Sequence, residues 1–600
     1  MDIKALLPEL KKQVNKLSDD LLARVTTEKE IKSSFVEVFE QIKKSERTAQ
    51  AFEVWLEDYL DQVAVAWVLS CVFVRFLEDN ELIEQTMLSG DKDRIKQAKN
   101  THEEYFKLNP FVSDREYFLH VFTEVGKIPA AKDLFAQGKT PLWAVGPSGD
   151  CARELLQFWQ EVDPDTGNLK RTFVVPNNDT RFLGDLYQDL SERARKKYAL
   201  LQTPDFVEEF ILDRTLTPAI QEFGFKKVRM IDPTCGSGHF ILGGFSRLFE
   251  LWIKEESNVI IAVQKALDGV FGVDLNPFAV AIARFRLIIA ALQACGFKKL
   301  KEARQWKINL AVGDSLLFGS DLSWDGARNP IQHQQDFTEI NPIYAVEDRS
   351  ELQRILGQGY HAVVGNPPYI TVKDKVMNES YRVLYSTCHR RYSLSAPFAQ
   401  KFWQLALHPS ETKSGGGYVG QITSNSFMKR EFGKKLIEEF FPKIDLTYVM
   451  DTSGAYIPAH GTPTVILFGR NQKPLTDTVR AVLGIKGEPS TPANPSQGLV
   501  WQSILKHIDR TGEQDEFTSS TDIPRVTFGN HPWSIGGGGA SDLKEFLDEQ
   551  PLKLEDFTDS IGFMSIPGDE DVFISASAST WKRHNIAIFL PMVTGDGIRD

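Results

Sequence analysis

From Lys226 to Arg470 the chain is a succession of short apolar runs separated by stretches long enough to be helices: VRMID, GVFGVDL, INLAVGD, HAVVGNP, GYVGQITS, LTYVMD and TVILFG. Runs this short and continuous suit strands buried on both faces, and strands joined by helical crossovers make a parallel or mostly parallel α/β sheet. The pattern excludes an all-helical or sandwich architecture for this part of the chain. It also says where a site should be sought, because open α/β sheets bind ligands beyond the carboxyl ends of their strands. Several of the runs end there in Gly, Asp or Asn.

The flanking segments read differently. Residues 1–180 are expected to form an N-terminal helical domain, with apolar residues at helical spacing such as Phe52, Trp55, Leu56 and Tyr59. The apolar stretch Val63 to Val74 is 12 residues long, short of the roughly 18 to 20 that cross a bilayer, and is expected to be a buried core helix. The α/β domain is expected over 181–470, with an insertion between Asp314 and Asn366 that includes SWDGARNPIQHQQDF. Pro, Gly and Ser in KGEPSTPANPSQGL, and the run Gly536 to Gly539, mark 471–540 as linker-like. Residues 541–600 hold strand-like pieces, DVFISA and IAIFLPMV, and are expected to begin a further domain within which the chain is cut.

Six hundred residues exceed what one core organises. Lys and Arg number 69 against 81 Asp and Glu, a net charge of −12, so a chain coated throughout with phosphate-seeking charge is excluded while a local basic groove is not. The five cysteines form no CxxC pair, which argues against a disulfide framework or a zinc knuckle and for a reducing cytoplasm. The opening MDIKALLPELKKQ carries charge where a secretory signal needs an apolar stretch. No membrane partner and no metal are expected.

Three acids and one turn carry the chemistry. Asp232-Pro233-Thr234-Cys235-Gly236-Ser237-Gly238 joins the first strand to a helix beginning at His239-Phe240. Glycines in such a turn let backbone N–H groups and a helix N-terminus come close to a nucleotide-like ligand. The second strand ends in Asp274, placed to accept from both hydroxyls of a ribose, and the third is followed by Asp314-Ser315, placed to accept from an adenine amine. Gly238 and Asp274 are 36 residues apart, longer than a dinucleotide site's spacing of roughly 20. After the fourth strand comes Asn366-Pro367-Pro368-Tyr369. Its two prolines remove N–H donors, so the turn offers carbonyl oxygens and an Asn amide oxygen as rigid acceptors for an NH₂ group. Accepting both hydrogens leaves the amine's lone pair free to attack, and Tyr369 is a stacking platform for a planar group.

In this order these motifs resemble the amino-methyltransferases that use S-adenosylmethionine, specifically the gamma-type adenine-N6 DNA methyltransferases. The resemblance covers about Arg181 to Arg470 and implies a Rossmann-like class I methyltransferase fold. The N-terminal helices and DPTCGSGHF also resemble the methyltransferases of BREX (Pgl-type) phage-resistance systems. Carried onto this sequence, Asn366, Pro367, Pro368 and Tyr369 would hold the target base. Thr203, Pro204, Asp232, Pro233, Cys235, Gly236, Ser237, Gly238, Asp274, Leu275, Asn276, Asp314, Ser315 and Asn366 would line the cofactor. The region from GGYVGQITSNSF to SGAYIPAHGTPTVILFGR resembles the part of the family that supplies an aromatic on the far side of a flipped base, with Tyr456 the candidate and Phe427 behind it. LPMVTGDGIRD resembles the entry to a target-recognition domain.

The segment after the turn holds Lys373, Lys375, Arg382, Arg390, Arg391 and Lys401 against Asp374 and Glu379, the place where double-stranded DNA phosphates are expected to lie. Cys235 is read as packing rather than as a nucleophile. Three other readings stay open: a glutamine-N5 protein or rRNA amino-methyltransferase, a cofactor-binding DNA scaffold in phage defence, and a fused nuclease, whose only nearby trace is Glu30-Ile31-Lys32 in a charged helical stretch.

Overall fold

The structure is a computed structural model, and its description covers residues 3–44, 48–91, 93–190, 202–322, 328–330, 347–412, 414–458, 460–533 and 536–537, with isolated positions between 543 and 557. The chain divides into two compact units, residues 1–540 and 541–600. Of the second, the described residues form one short turn of helix at Leu554–Phe557. The pieces DVFISA, IAIFLPMV and LPMVTGDGIRD lie outside the described residues.

The first unit opens with helices α1 (Ile3–Thr27), α2 (Lys29–Lys44) and α3 (Phe52–Asp79), and further helices at Asp93–Leu108, Asp114–Gly126 and Gly149–Gln160. Helix α3 is apolar nearly all round and buried along most of its length, Val63 to Val74 included, as befits a helix at the centre of a core. Near its C-terminal end the buried Arg75 side chain bonds Glu78 at 3.0 Å and Asp79 at 2.7 Å, so that cation is paired where it is buried.

Among the described residues eleven strands follow: β1 (Met230–Asp232), β2 (Val270–Asp274), β3 (Asn309–Val312), a hairpin of β4 (Ser320–Leu322) and β5 (Arg328–Pro330), then β6 (Ala362–Gly365), β7 (Tyr418–Ser424), β8 (Asp445–Asp451), β9 (Thr464–Arg470), β10 (Thr478–Gly484) and β11 (Thr518–Pro524). Nine form one sheet in the order β11-β10-β8-β9-β7-β6-β1-β2-β3. β1 pairs in parallel with β2 on one side and β6 on the other, and β6 is parallel to β7. β9 runs antiparallel to both β7 and β8.

The helices that frame the site are α4 (Asp205–Asp213), α5 (His239–Glu255), α6 (Pro277–Ala294), α7 (Lys375–Leu384), α8 (Ser395–Leu405) and, farther on, α9 (Leu499–His507). Helix α6 starts where Asn276 Oδ1 accepts from Phe278 N at 2.9 Å, with Pro277 at the first helical position. It is long, apolar and mostly buried, and against it lies α3, where the Phe73 and Phe285 rings stack at 4.5 Å between centroids and 9° between planes.

Residues 471–540, read as linker-like, contribute β10 and β11 to the sheet and α9 to its flank. The Pro- and Gly-rich stretch is only the crossover between them. The insertion read between Asp314 and Asn366 holds the β4–β5 hairpin and a helix at Arg349–Leu356, with most of SWDGARNPIQHQQDF outside the described residues.

Candidate active site

β1 is the point where the strand order reverses, because the chain leaves it toward β2 and β3 and later returns on its other side with β6 and β7. A crevice opens beyond the carboxyl ends of two strands at such a point. The loops after β1 and β6, over 130 residues apart in sequence, are thereby neighbours. The approach is close: a Cβ on Gly365 would stand 2.5 Å from Asp232 Oδ1 and 3.0 Å from Thr234 Oγ1, so only glycine fits.

The β1 loop is fixed from within. Asp232 Oδ1 accepts from Thr234 N at 2.9 Å, and burial lifts this carboxyl to about 8. Gly238 opens α5 in the left-handed region, φ 89°, and a Cβ there would lie 2.8 Å from that of Ala283. Gly236 faces open space. Cys235 is buried against β2 at Gly272, and burial pushes its thiol well up, which keeps it protonated. Ser237 is buried, and its carbonyl accepts from Arg286 Nη1 at 2.8 Å.

The end of β2 and the loop after β3 are both tied to the β1 loop. Asp274 Oδ2 accepts from Gly236 N at 2.9 Å and Oδ1 from Asn276 N at 2.8 Å, which ties the second strand's acid to the glycine loop. Burial still raises its carboxyl, to about 6, against those bonds. Leu275 is half-buried beside it. Asp314 is buried, accepting from Leu316 N at 2.9 Å and from the phenol of Tyr381 on α7. Ser315 Oγ donates to the Pro233 carbonyl at 2.6 Å and joins the β3 loop to the β1 loop.

At the β6 turn, Asn366 Nδ2 donates to Thr203 Oγ1 at 3.3 Å, so the Thr203-Pro204 element ahead of α4 reaches the same turn. Nδ2 also lies 3.3 Å from His460 Nε2, and Oδ1 accepts from the Tyr369 phenol at 2.5 Å. Tyr369 is half-buried, and its ring centroid is 6.1 Å from that of His460. His460 Nδ1 stands 3.0 Å from the Pro458 carbonyl. His460 is not among the residues the sequence motifs mark; its signal is the AHGTPT turn between β8 and β9, close to the expected Tyr456. Tyr456 is exposed, and among the described residues the ring set against Tyr369 is that of His460. Phe427, read as lying behind Tyr456, is 1% exposed and packs on Phe441 and Trp533.

Beyond the turn, Lys373, Arg382, Arg390 and Arg391 line a cleft of about 540 Å³ with Thr371, Val372 and Asn378. Lys375 is exposed on the first turn of α7 without lining it. Lys401, grouped with these cations from sequence, is wholly buried on α8 and donates to the Phe318 carbonyl at 2.8 Å, so it cannot meet a phosphate. Asp374 caps α7 by accepting from Val376 N at 2.9 Å, while its other oxygen accepts from Ala49 N at 2.9 Å and Thr48 Oγ1 at 3.2 Å. The helical region thus grips the loop that carries the turn.

Fold and crevice together define a Rossmann-like α/β domain with a helical N-terminal region. Residues 268–455 match the model of the Eco57I restriction-modification methylase family. Over its full length the chain is 45% identical to the adenine-specific methyltransferase PglX of Streptomyces coelicolor, of which it spans 51%. It is 24% identical over 265 residues to the type II methyltransferase M.BstVI of Geobacillus stearothermophilus, matching 44% of this chain and 40% of that protein. The chain therefore spans about half the length, or less, of these relatives. Among solved structures, the cryo-EM DrdV–DNA complex aligns with a TM-score of 0.48 at 13% identity, covering 87% of this chain and 45% of that one.

Proposed function

We propose that this chain is a site-specific DNA methyltransferase that moves a methyl group from S-adenosylmethionine to N6 of an adenine flipped out of the duplex, acting in the cytoplasm with other proteins of a phage-defence or restriction-modification type system. One observation carries the reading: the Asn366-Pro367-Pro368-Tyr369 turn adjoins the β1 glycine loop at the point where strand order reverses.

When bound, S-adenosylmethionine supplies a methyl carbon activated by its sulfonium. The crevice suits it, with open space over Gly236 and two acids in the wall beyond. Asp274 would accept from the ribose hydroxyls, with Leu275 and Asn276 beside it. Asp314 and Ser315 would face the adenine. Thr203, Pro204, Asp232, Pro233, Cys235, Gly236, Ser237 and Gly238 would enclose the methionine end. Asn366 Oδ1 and the Pro367 carbonyl would accept the two hydrogens of the target amine and free its lone pair for in-line attack. Tyr369 would stack on the base, with Tyr456 closing over it from the β8–β9 loop. Lys373, Lys375, Arg382, Arg390 and Arg391 would hold phosphates while the base is extruded, at a cost of a few kcal/mol.

The test is incubation of the protein with unmodified duplex DNA and isotope-labelled S-adenosylmethionine, followed by mass spectrometry of nucleosides. Label in N6-methyladenine is expected, and Asn366→Ala should cut it by about 100-fold or more while leaving cofactor binding nearly intact. No transfer to DNA, with label appearing instead in glutamine side chains or rRNA when ribosomal RNA and a protein extract are offered in parallel and analysed by mass spectrometry, overturns the reading.

A further inference from the structure

The Asn366 side chain belongs to a hydrogen-bond relay whose direction is fixed at its far end. The Pro458 carbonyl can only accept, so His460 Nδ1, 3.0 Å away, carries the ring proton. In the neutral imidazole Nε2 is then a bare lone pair. Its neighbour at 3.3 Å must be the donor, which is Asn366 Nδ2. The second hydrogen of Nδ2 goes to Thr203 Oγ1. Both donors of the amide are thus used by the protein, and Oδ1 is turned the other way, toward the Tyr369 phenol. A carbonyl oxygen has two lone pairs, so one remains for a hydrogen of an incoming amine.

We propose that His460 is a positioning residue which holds the Asn366 amide with its oxygen presented to the target amine. The proposal rests on the methyltransferase reading given above. With the amide turned over, Oδ1 would meet the imidazole lone pair and the NH₂ group would face an amine that only donates, so the turn could not receive its substrate. The same inversion follows if the imidazole gains a proton, because Nε2 then becomes a donor. Burial and the Pro458 carbonyl are the influences on this ring, and burial wins, holding its titration below the ordinary histidine range. The titratable group set against it among the described residues is Tyr369, whose phenol burial keeps protonated.

The test compares His460→Ala and His460→Gln with the unaltered chain. His460→Ala should lower kcat for methyl transfer by at least about tenfold with cofactor affinity and thermal unfolding little changed. His460→Gln, whose Oε1 accepts from Asn366 without titrating, should recover much of that loss and, with cofactor saturating, should lack the fall in kcat that the unaltered chain shows on acidification below the ordinary histidine range. ¹⁵N shifts of imidazole-labelled protein, assigned by difference against His460→Gln, should show the Nδ1–H tautomer. Unchanged kcat and an unchanged acid limb in both variants, or an Nε2–H tautomer, overturn the proposal. An unaltered chain that transfers no methyl group sinks the methyltransferase reading instead, and the ¹⁵N shifts, which need no turnover, still decide this one.

Discussion

The phenol of Tyr381 donates its hydrogen to Oδ2 of Asp314. The helix that follows the Asn-Pro-Pro-Tyr turn is thereby joined to the acid beyond β3, 67 residues earlier in the chain. Both side chains are buried. Asn378 and Arg382 of the same helix line the basic cleft, so one helix touches the wall assigned to the cofactor and the wall assigned to DNA.

Tyr381→Phe keeps the ring and deletes that bond. It should destabilise the protein by about 1–3 kcal/mol, seen as a lower urea midpoint at constant slope, and should weaken S-adenosylmethionine several-fold. Full cofactor affinity in the variant would remove Asp314 from the adenine site.

Asp274 gives a pH dependence of definite sign. Burial raises its folded-state carboxyl to about 6, above the ordinary value of about 3.9. The folded chain therefore holds this proton more tightly than the unfolded one, and the group's contribution to stability is complete below about pH 4 and lost as pH rises through about 6. Ribose hydroxyls donate to the ionised form. Cofactor affinity should accordingly climb as pH rises through about 6 and level off above about 7, with the climb absent in Asp274→Asn. Titration calorimetry across that range measures it, and a flat affinity in the unaltered chain contradicts the assignment.

The cleft after the turn should bind phosphates without regard to sequence. Alanine at Lys373 or Arg391 should weaken unrelated duplexes alike and reduce the slope of log affinity against log salt by about one per residue, read by fluorescence anisotropy. Arg382 is a poorer probe because it also braces the loop, donating to the Arg390 carbonyl at 2.8 Å and lying over the Tyr392 ring. Salt slopes that do not move would place the DNA elsewhere.

What could be read in advance followed burial. All seven apolar runs from VRMID to TVILFG became strands, since a central strand covered on both faces must be apolar throughout. β11 escaped because it is an edge strand of sequence TSSTDIP, held by its ladder to β10, with only alternate residues near its start buried. A lone cation such as Lys401 suggests a wet surface, but its helix, SAPFAQKFWQL, is buried nearly throughout, polar residues included. His460 was invisible for another reason. It lies 94 residues from Asn366 in a loop with no periodicity, and only the completed sheet brings the two together.

The stacked rings of Phe73 and Phe285 bear on how this protein can be dissected. Severing the chain near residue 180 to obtain a minimal catalytic fragment would unsheathe α6, a helix long and greasy enough to enter a bilayer. Such a fragment would clump in water rather than turn over substrate. The opening helices are part of the scaffold on which the crevice stands.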